Sequence, residues 1–220
     1  MKQLIIRILS RFIPEIRPLV RIYRHQLRNK DSYLYVTGWT RSIVENRPCQ
    51  SDGSTVPWMN YPVITLIQGR LNKNMRLFEY GSGYSTLFFS KLVGDVVSVE
   101  YDLTWYEKIS KELPKNARVM FVKNDVDGSY CRAIHQVHEF FDVVVVDGRD
   151  RVNCIKQALS KLNESGVILL DDSQREDYQE GIDHTVHQGF KRLDLEGLKP
   201  ADHGVNRTTI FYRSTNCFNL

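Results

Sequence analysis

Several features that would assign the chain to a common class are missing from its 220 residues. Its four cysteines stand far apart and form no C-x-x-C pair, so the sequence indicates neither a zinc site nor a disulfide framework. It has no run of about 20 apolar residues that could span a bilayer, no signal-peptide core, no P-loop and no G-x-S-x-G sequence. We therefore expect a cytoplasmic protein, and the 42% hydrophobic content predicts a single core with small appendages.

Positive charge is concentrated at the N-terminus. Residues 1–30 hold eight lysines and arginines against one acid, a local charge of +7, whereas residues 31–220 sum to −3. A helical wheel places the apolar side chains of residues 1–30 on one side and the arginines on the other. We predict a basic amphipathic arm over residues 1–30, divided into two short helices because Pro14 and Pro18 each favour the first turn of a new helix.

This distribution of charge bears on the partners of the protein. Because the body of the chain is mildly acidic, long DNA or RNA is disfavoured as a partner. Through residues 1–28 the arm could lie on an anionic membrane surface as a peripheral contact, pack on its own domain, or hold two copies of the chain together as a homo-oligomer. The sequence leaves these three interpretations open.

Residues 31–61 form a second segment, rich in turn formers and aromatic residues and without clear periodicity. We predict that this segment folds over the site as a lid. Trp39, Trp58, Met59 and Tyr61 would then offer flat apolar surface to the ring or sugar face of a substrate. The alternative is that these side chains only close the open edge of the sheet.

From residue 62 onward, apolar strands alternate with helix-like stretches. The strands are, in order, MRLFEYG, DVVSVEYD, ARVMFVK, FDVVVVDG, GVILLDDS, FKRLDLEG and RTTIFYR. Strands and helices alternating at this spacing indicate βαβ units, and the uninterrupted valines 143–146 are typical of a parallel strand buried on both faces. Residues 62–220 are thus predicted to form one α/β domain, a doubly wound, Rossmann-like and mostly parallel seven-stranded sheet with helices on both faces.

Acids and glycines gather where these strands end. In an open α/β sheet the ligand binds beyond the carboxyl ends of the strands. These ends carry Glu79, Gly81 and Gly83 after the first strand, Glu100 after the second, Asp125 after the third, Asp147 after the fourth, and Asp171 and Asp172 after the fifth. Glycine lets a ligand approach the backbone, and an acid some twenty residues later can bind ribose hydroxyls. A lone G-x-G is otherwise an ordinary strand-to-helix turn.

Two details of the sequence restrict the class of ligand. Thr86 stands where a dinucleotide-binding turn has its third glycine, which disfavours a pyrophosphate. The number of acids favours a nucleoside cofactor that carries positive charge, such as the sulfonium and ammonium groups of S-adenosylmethionine.

The motifs FEYGSGYST, VSVEYD, KND and FDVVVVDG, in this order and spacing, resemble the cofactor motifs of class I S-adenosylmethionine-dependent methyltransferases. The resemblance covers residues 62–213 and implies that the two closing strands form a reversed edge hairpin. Stretches such as GVILLDDSQREDY and TTIFYR resemble small methyltransferase-domain proteins distantly similar to catechol O-methyltransferases. The resemblance implies S-adenosylmethionine as cofactor and O-methylation of a small-molecule or glycan hydroxyl.

The resemblance also implies roles for individual residues. Of the cofactor, the methionine end would contact Glu79, Gly81, Ser82 and Gly83, the ribose Glu100, the adenine amino group Asp125, and the sulfonium Asp147, with Ser85 and Tyr101 completing the binding set. A hydroxyl acceptor must lose its proton, and the candidate bases are Asp147, Asp172 and His203. Plainer interpretations are also open in this region: Asp147 could cap a helix, Asp171 could pair with Arg175, and His203 could be a loop residue.

The sequence departs from the resembled family at the position of a divalent metal. Catechol-type enzymes hold one with an acid after the fourth strand and an Asp-Asn pair after the fifth. Here Asp172 is followed by Ser173, a poorer ligand, and Arg149 could supply positive charge near the substrate instead. We predict no metal and name Asp147 and Asp172 as its candidate ligands, for which magnesium or calcium would suit best.

Two other functions stay open at this point. The sequence DDS resembles the acidic metal motif of nucleotide-sugar-dependent glycosyltransferases, so such an enzyme, or another nucleotide-binding Rossmann-like protein, is the alternative. It leaves Gly81, Gly83 and Glu100 unexplained. A non-catalytic module that kept the cofactor fold is the third hypothesis.

Overall fold

A single sheet organises the chain, of which a computed structural model describes residues 13–220. Its strands are β1 (Arg76–Tyr80), β2 (Asp95–Glu100), β3 (Ala117–Phe121), β4 (Phe141–Val146), β5 (Leu162–Asp171), β6 (Lys191–Leu198) and β7 (Val205–Tyr212). Their order across the sheet is β3-β2-β1-β4-β5-β7-β6. Strands β1 to β5 pair in parallel, and β7 runs antiparallel to β5 and β6. The predicted doubly wound sheet with a reversed edge hairpin is confirmed.

Helices cover the sheet and precede it. They are α1 (Ile16–Ile22), α2 (Tyr33–Val36), α3 (Trp39–Glu45), α4 (Tyr61–Arg70), α5 (Tyr84–Leu92), α6 (Leu103–Ile109), α7 (Arg151–Ala158) and α8 (Gln179–His187). Shorter 3-10 segments occupy Cys131–Gln136, Leu159–Lys161 and Glu176–Tyr178. Helices α5 to α8 lie between predicted strands, as the alternating pattern requires, but the stretch between β3 and β4 holds only a 3-10 segment.

Helix α4 was not predicted, although its start carries a clear local signal. The Asn60 side chain accepts a hydrogen bond from the Val63 backbone N–H at 3.1 Å, and Pro62 stands in the first turn. An Asn cap followed by proline is a favourable helix start. Ile64 and Ile67 then pack into the core below the sheet.

The core lies on both faces of the sheet. Val144 and Val146 of β4 point into a cluster with α7 and α8, whereas Val143 and Val145 point into a second cluster with α4 and α5. All four valines are at most 1% exposed. Successive side chains of a strand face opposite sides, so an unbroken valine run is buried only if both faces are covered.

Strand β5 begins at Leu162, earlier than the predicted GVILL stretch. Leu162 pairs with Phe141, and the register then shifts before Val143 pairs with Val167. The extra residues form a local irregularity that lies outside a simple apolar run, which is why the sequence pattern misses them.

The N-terminal arm predicted over residues 1–30 lies partly outside the described residues. Within them, α1 continues as a π-helical turn over Tyr23–Leu27, and neither piece buries a side chain. Pro18 stands in the first turn of α1, the position at which proline is tolerated. Between residues 13 and 220 no helix has both the length and the apolar character needed to cross a bilayer.

Candidate functional site

A cavity of about 520 Å³ opens where the strand order reverses, beyond the carboxyl ends of β1 and β4. The chain leaves β1 towards β2 and leaves β4 towards β5, and ligands of open α/β sheets bind at such a crossover. The volume is in the range of small-molecule sites. Of the residues that the sequence singles out, the cavity is lined by Glu79, Gly81, Ser82, Ser85, Glu100, Tyr101, Asp147 and Arg149.

Two glycine turns form the floor of this cavity. Gly81, after β1, has φ +96, and an added Cβ would lie 3.3 Å from the Gly148 backbone nitrogen. Gly148, after β4, would place a Cβ 2.1 Å from the Tyr130 hydroxyl and 2.9 Å from the Gly81 nitrogen. The two backbones therefore pass one another at a distance that side chains would not allow.

Glu100 ties the first turn to the end of β2. One carboxylate oxygen accepts hydrogen bonds from the Ser82 backbone N–H at 3.0 Å and from the Ser82 hydroxyl at 2.8 Å. The other accepts from the backbone N–H groups of Tyr101 at 2.8 Å and Asp102 at 3.0 Å. A carboxylate has about four acceptor positions, so the protein itself uses the full capacity of Glu100.

Glu79 is a buried carboxylate without a cation. Its side chain is 1% exposed and accepts hydrogen bonds from the hydroxyls of Thr86 at 2.6 Å and Ser98 at 2.9 Å. Within residues 13–220 no lysine, arginine or histidine lies within 4.0 Å of it. Burial raises the pKa of Glu79 to about 7, because desolvation penalises the charged form more than these hydroxyls stabilise it.

Aromatic rings flank the Glu100 end of the cavity. The Trp105 indole donates to the Ser82 carbonyl at 2.7 Å, and the Arg149 guanidinium lies 5.3 Å from the Tyr101 ring centroid while its Nε donates to the Tyr101 hydroxyl at 3.1 Å. Trp105 was missed by the sequence analysis, since α6 shows only an ordinary helical pattern. Trp105 lines the cavity because its indole is bonded to the turn after β1, a contact between distant parts of the chain that the sequence does not show.

Asp147 lines the cavity at the end of β4 and pairs with Arg151. The Arg151 guanidinium donates to the Asp147 carboxylate at 2.9 Å, and 24% of the Asp147 side chain remains exposed. Burial raises the pKa of Asp147 to about 7, although Arg151 opposes this shift. Asp150, not Asp147, stands at the cap of α7, so the interpretation of Asp147 as a plain helix cap is wrong.

Asp172 lies behind this wall and does not line the cavity. Its backbone has φ +53, and its carboxylate accepts from Lys199 at 2.5 Å and from Arg175 at 2.6 Å. The pairing of Asp171 with Arg175 considered from the sequence is wrong, because Asp171 bonds Lys199 at 2.6 Å instead. The turn at Asp172 directs that side chain, rather than its neighbour, towards Arg175.

Other predicted residues lie elsewhere. Asp125 accepts from the backbone N–H groups of Ser129 and Tyr130, and these bonds lower its pKa. Gly83 caps α5 beside Trp105. The proposed substrate and base residues that do not line the cavity are Trp39, which donates to the Asp202 carbonyl, Trp58, which is exposed, Met59 and Tyr61, which are buried in the core, and His203, which is solvent-exposed.

Four side chains of the cavity were not singled out by the sequence analysis as site residues. They are Trp105, Asp150, Arg151 and Tyr178. Arg175, named only as a partner for Asp171, lines it as well. The Tyr178 ring lies 5.3 Å from the Arg151 guanidinium and 5.8 Å from that of Arg175, so these three define the end of the cavity beyond Asp147.

The donors do not fit a divalent metal. In the described part of the chain, no group of three or more His, Cys, Asp or Glu side chains could hold a metal ion. The carboxylates of Asp147 and Asp172, the two candidate ligands, are engaged by Arg151, Arg175 and Lys199. A divalent cation would have to displace these groups.

Comparison with known proteins gives a fold. No family model matches the chain, and no curated protein sequence matches it. Among solved structures, it is similar to a precorrin-6y C5,15-methyltransferase from Geobacter metallireducens (TM-score 0.55, 16% identity, 69% of this chain and 87% of that chain). It is also similar to a methyltransferase-like protein from Silicibacter pomeroyi (TM-score 0.52, 22% identity, 72% of this chain and 89% of that chain). A third similar structure is that of the O-methyltransferase TomG from Streptomyces achromogenes, in complex with S-adenosylmethionine (TM-score 0.53, 16% identity, 68% of this chain and 77% of that chain). The chain has the fold of class I S-adenosylmethionine-dependent methyltransferases.

Proposed function

We propose that the protein is an S-adenosylmethionine-dependent methyltransferase that methylates a hydroxyl group of a small molecule or glycan. The observation that carries the proposal is the cavity at the strand crossover, where Glu100, the Gly81 turn and Asp147 meet. The fold supports it, since TomG, which shares this fold, is an O-methyltransferase crystallised with the same cofactor.

The residues present suit this cofactor. The bare backbone at Gly81 and the side chains of Ser82, Ser85 and Glu79 would hold its amino-acid part, with Glu79 facing the ammonium group. Glu100 would bind the ribose. Because the protein already fills all four acceptor positions of Glu100, a ribose hydroxyl would replace the Ser82 hydroxyl as donor. Tyr101 and Trp105 offer flat surfaces beside it.

The cofactor, when bound, supplies a methyl group on a sulfonium for in-line transfer to the acceptor oxygen. The protein positions the acceptor and takes its proton. Asp147 is the proposed base, since it lines the cavity and its pKa of about 7 suits proton acceptance near neutral pH. Asp172 and His203 are weaker proposals because neither lines the cavity.

The nucleotide-sugar alternative loses its main support. Its acidic motif, Asp171 and Asp172, is bonded to Lys199 rather than available to a metal, and the solved structures reported above are not glycosyltransferases. We propose that the substrate binds at the end of the cavity beyond Asp147, where Tyr178 and Arg175 lie. Arg149, which the sequence suggests as a substrate contact, lies instead beside Tyr101 at the Glu100 end.

Calorimetry with S-adenosylhomocysteine, beside NAD and UDP, tests the proposal. We expect binding of the first ligand alone. Glu100→Ala should lower its affinity by roughly 1.5–3 kcal/mol for each charge-assisted bond lost. Glu107→Ala, which removes an exposed glutamate on α6, is the matched control and should bind as the wild type does. Selective binding of UDP or NAD would refute the proposal.

A further inference from the structure

A buried lysine occupies the space between two adjacent carboxylates at the end of β5. Lys199 is 6% exposed, and its ammonium lies 2.6 Å from an Asp171 oxygen and 2.5 Å from an Asp172 oxygen. Lys199 follows β6, the edge strand, and reaches past β7 to make these contacts. A buried amine in contact with two acids is costly to desolvate, so its partners must hold it closely.

The four carboxylate oxygens of this pair are all engaged. Asp171 accepts from the Thr208 hydroxyl at 2.6 Å with one oxygen and from Lys199 with the other. Asp172 accepts from Lys199 with one oxygen and from Arg175 at 2.6 Å with the other. Each oxygen of the pair therefore already has a donor, and the Lys199 ammonium occupies the space between the two carboxylates, so a metal ion could bridge them only if Lys199 withdrew.

The ammonium is held in its charged form. Burial favours the neutral amine, but the two carboxylates outweigh that effect and raise the pKa of Lys199 above its usual value. Oxygen donors of this kind are the ligands that hard divalent cations prefer. One lysine therefore satisfies a pair of carboxylates that would otherwise attract such a cation.

This cluster connects to the cavity through one arginine. Arg151 donates to the Asp147 carboxylate at 2.9 Å, and its other terminal nitrogen donates to the Asp171 carbonyl and lies 3.8 Å from the Asp172 carboxylate. Asp172 thus holds Arg151 from behind while Asp147 lines the cavity in front. Lys199 neither lines the cavity nor contacts Asp147, so its contacts reach the cavity through Asp172 and Arg151.

We propose that Lys199 is a built-in cation of the site, occupying with its ammonium the position between Asp171 and Asp172 that a divalent metal would otherwise take. The wild-type protein then needs no divalent metal at this position. Removal of the ammonium converts the two acids into a divalent-cation site.

Titration of the full chain with Mn²⁺, followed by electron paramagnetic resonance of the free ion, tests this inference. The wild type is expected to show no stoichiometric binding. Lys199→Ala is expected to bind one Mn²⁺ at least about tenfold more tightly than the wild type, because both carboxylates lose their partner. Lys199→Arg keeps the positive charge and is expected to bind Mn²⁺ no better than the wild type.

Lys161→Ala is the matched control. Lys161 is also buried, but it donates to the carbonyls of Val137 and His138, and in the described residues it has no carboxylate within 4.0 Å. Its removal is expected to create no Mn²⁺ site. Should Lys199→Ala fold poorly, Mn²⁺ is expected to raise its folded fraction, an effect that Lys161→Ala does not share.

Two results would overturn the inference. One is stoichiometric Mn²⁺ binding by the wild type, which needs no variant to be observed. The other is a Lys199→Ala protein that gains neither Mn²⁺ affinity nor folded fraction on Mn²⁺ addition. Neither result bears on the methyltransferase proposal, which S-adenosylhomocysteine binding in the same samples reports separately.

Discussion

At the scale of the residue, the chemistry of the site depends on which donors or cations stabilise each buried carboxylate. Glu79 and Glu100 lie at the carboxyl ends of neighbouring strands and are both buried. They differ in their donors, because Glu100 accepts four hydrogen bonds, three of them from backbone N–H groups, whereas Glu79 accepts from the hydroxyls of two side chains. The spacing of the glycines and acids predicts both residues as cofactor ligands. It does not predict that Arg151 pairs with Asp147 or that Lys199 pairs with Asp171 and Asp172, because these side chains come from α7 and from the far edge of the sheet.

The raised pKa of Glu79 predicts a dependence of stability on pH. Between about pH 4.5 and 7 the folded chain holds a proton that the unfolded chain has lost, so the free energy of unfolding falls as pH rises through that window. We expect a loss of at most about 3 kcal/mol from this group. Denaturant unfolding of Glu79→Gln at pH 5 and 8 should show a smaller loss than the wild type. Glu112→Gln, at an exposed position, should behave as the wild type does. Equal losses in all three would contradict the prediction.

Asp147 predicts the pH dependence of catalysis. As the proposed base it must be deprotonated, so the wild-type kcat should rise with pH and level off above about 7. Asp147→Asn should lower kcat by about 10²- to 10⁴-fold and remove this rise, while S-adenosylhomocysteine affinity changes little. Initial rates over pH 5.5–9 with an identified acceptor measure the effect. A variant that retains the same pH profile would exclude Asp147 as the base.

At the scale of the element, the strands and helices can be predicted from the sequence more readily than the turns that join them. The alternation of strand and helix predicts all seven strands from the sequence, although the start of β5 lies earlier than predicted. Helix α4 escaped prediction since it follows an irregular segment, despite its Asn60 cap. The stretch before β4 is compatible with a helix in the sequence but forms only a 3-10 segment, because a short apolar stretch does not distinguish one helical turn from several.

Two glycine substitutions distinguish a glycine that close backbone packing requires from one in a helix with open space around it. Gly148→Ala should lower stability by about 1–3 kcal/mol, because its Cβ would collide with the Tyr130 hydroxyl and the Gly81 backbone. Gly69→Ala, in α4 with open space around it, should be neutral or stabilise the protein by up to about 1 kcal/mol. Thermal melts of both variants give the signs. A Gly148→Ala protein as stable as the wild type would show that the two turns can separate freely.

At the scale of the whole molecule, two cores share one sheet. The coverage of both faces follows from the sequence, and the reversed closing hairpin was implied by the family resemblance, whereas the order of the strands was not predicted. The burial of Phe218 could not be predicted, since it depends on the chain returning along the sheet after β7. There Cys217 donates its backbone N–H to the Ser165 carbonyl at 2.7 Å.

Phe218 offers a test of this arrangement. Its side chain is fully buried in the cluster with α4 and α5 and does not line the cavity. Phe218→Ala should cost about 3–5 kcal/mol of unfolding free energy and leave S-adenosylhomocysteine affinity unchanged at temperatures where the protein stays folded. Phe140→Ala, at a half-exposed ring, should cost much less. Comparable losses at the two positions in denaturant unfolding would contradict the assignment of Phe218 to the core.

The lone carboxylate of Glu79 also makes ligand capture a proton-release reaction. If a bound ammonium lies against it, the carboxylate gives up its proton when the ligand arrives, and affinity climbs with pH up to about 7. At pH 6 the apparent heat of S-adenosylhomocysteine binding should then change with the ionisation enthalpy of the buffer. Methylthioadenosine, which keeps the nucleoside but has no ammonium group, should give the same heat in every buffer. The number of protons released on binding would therefore show whether the ligand carries the positive charge that Glu79 faces.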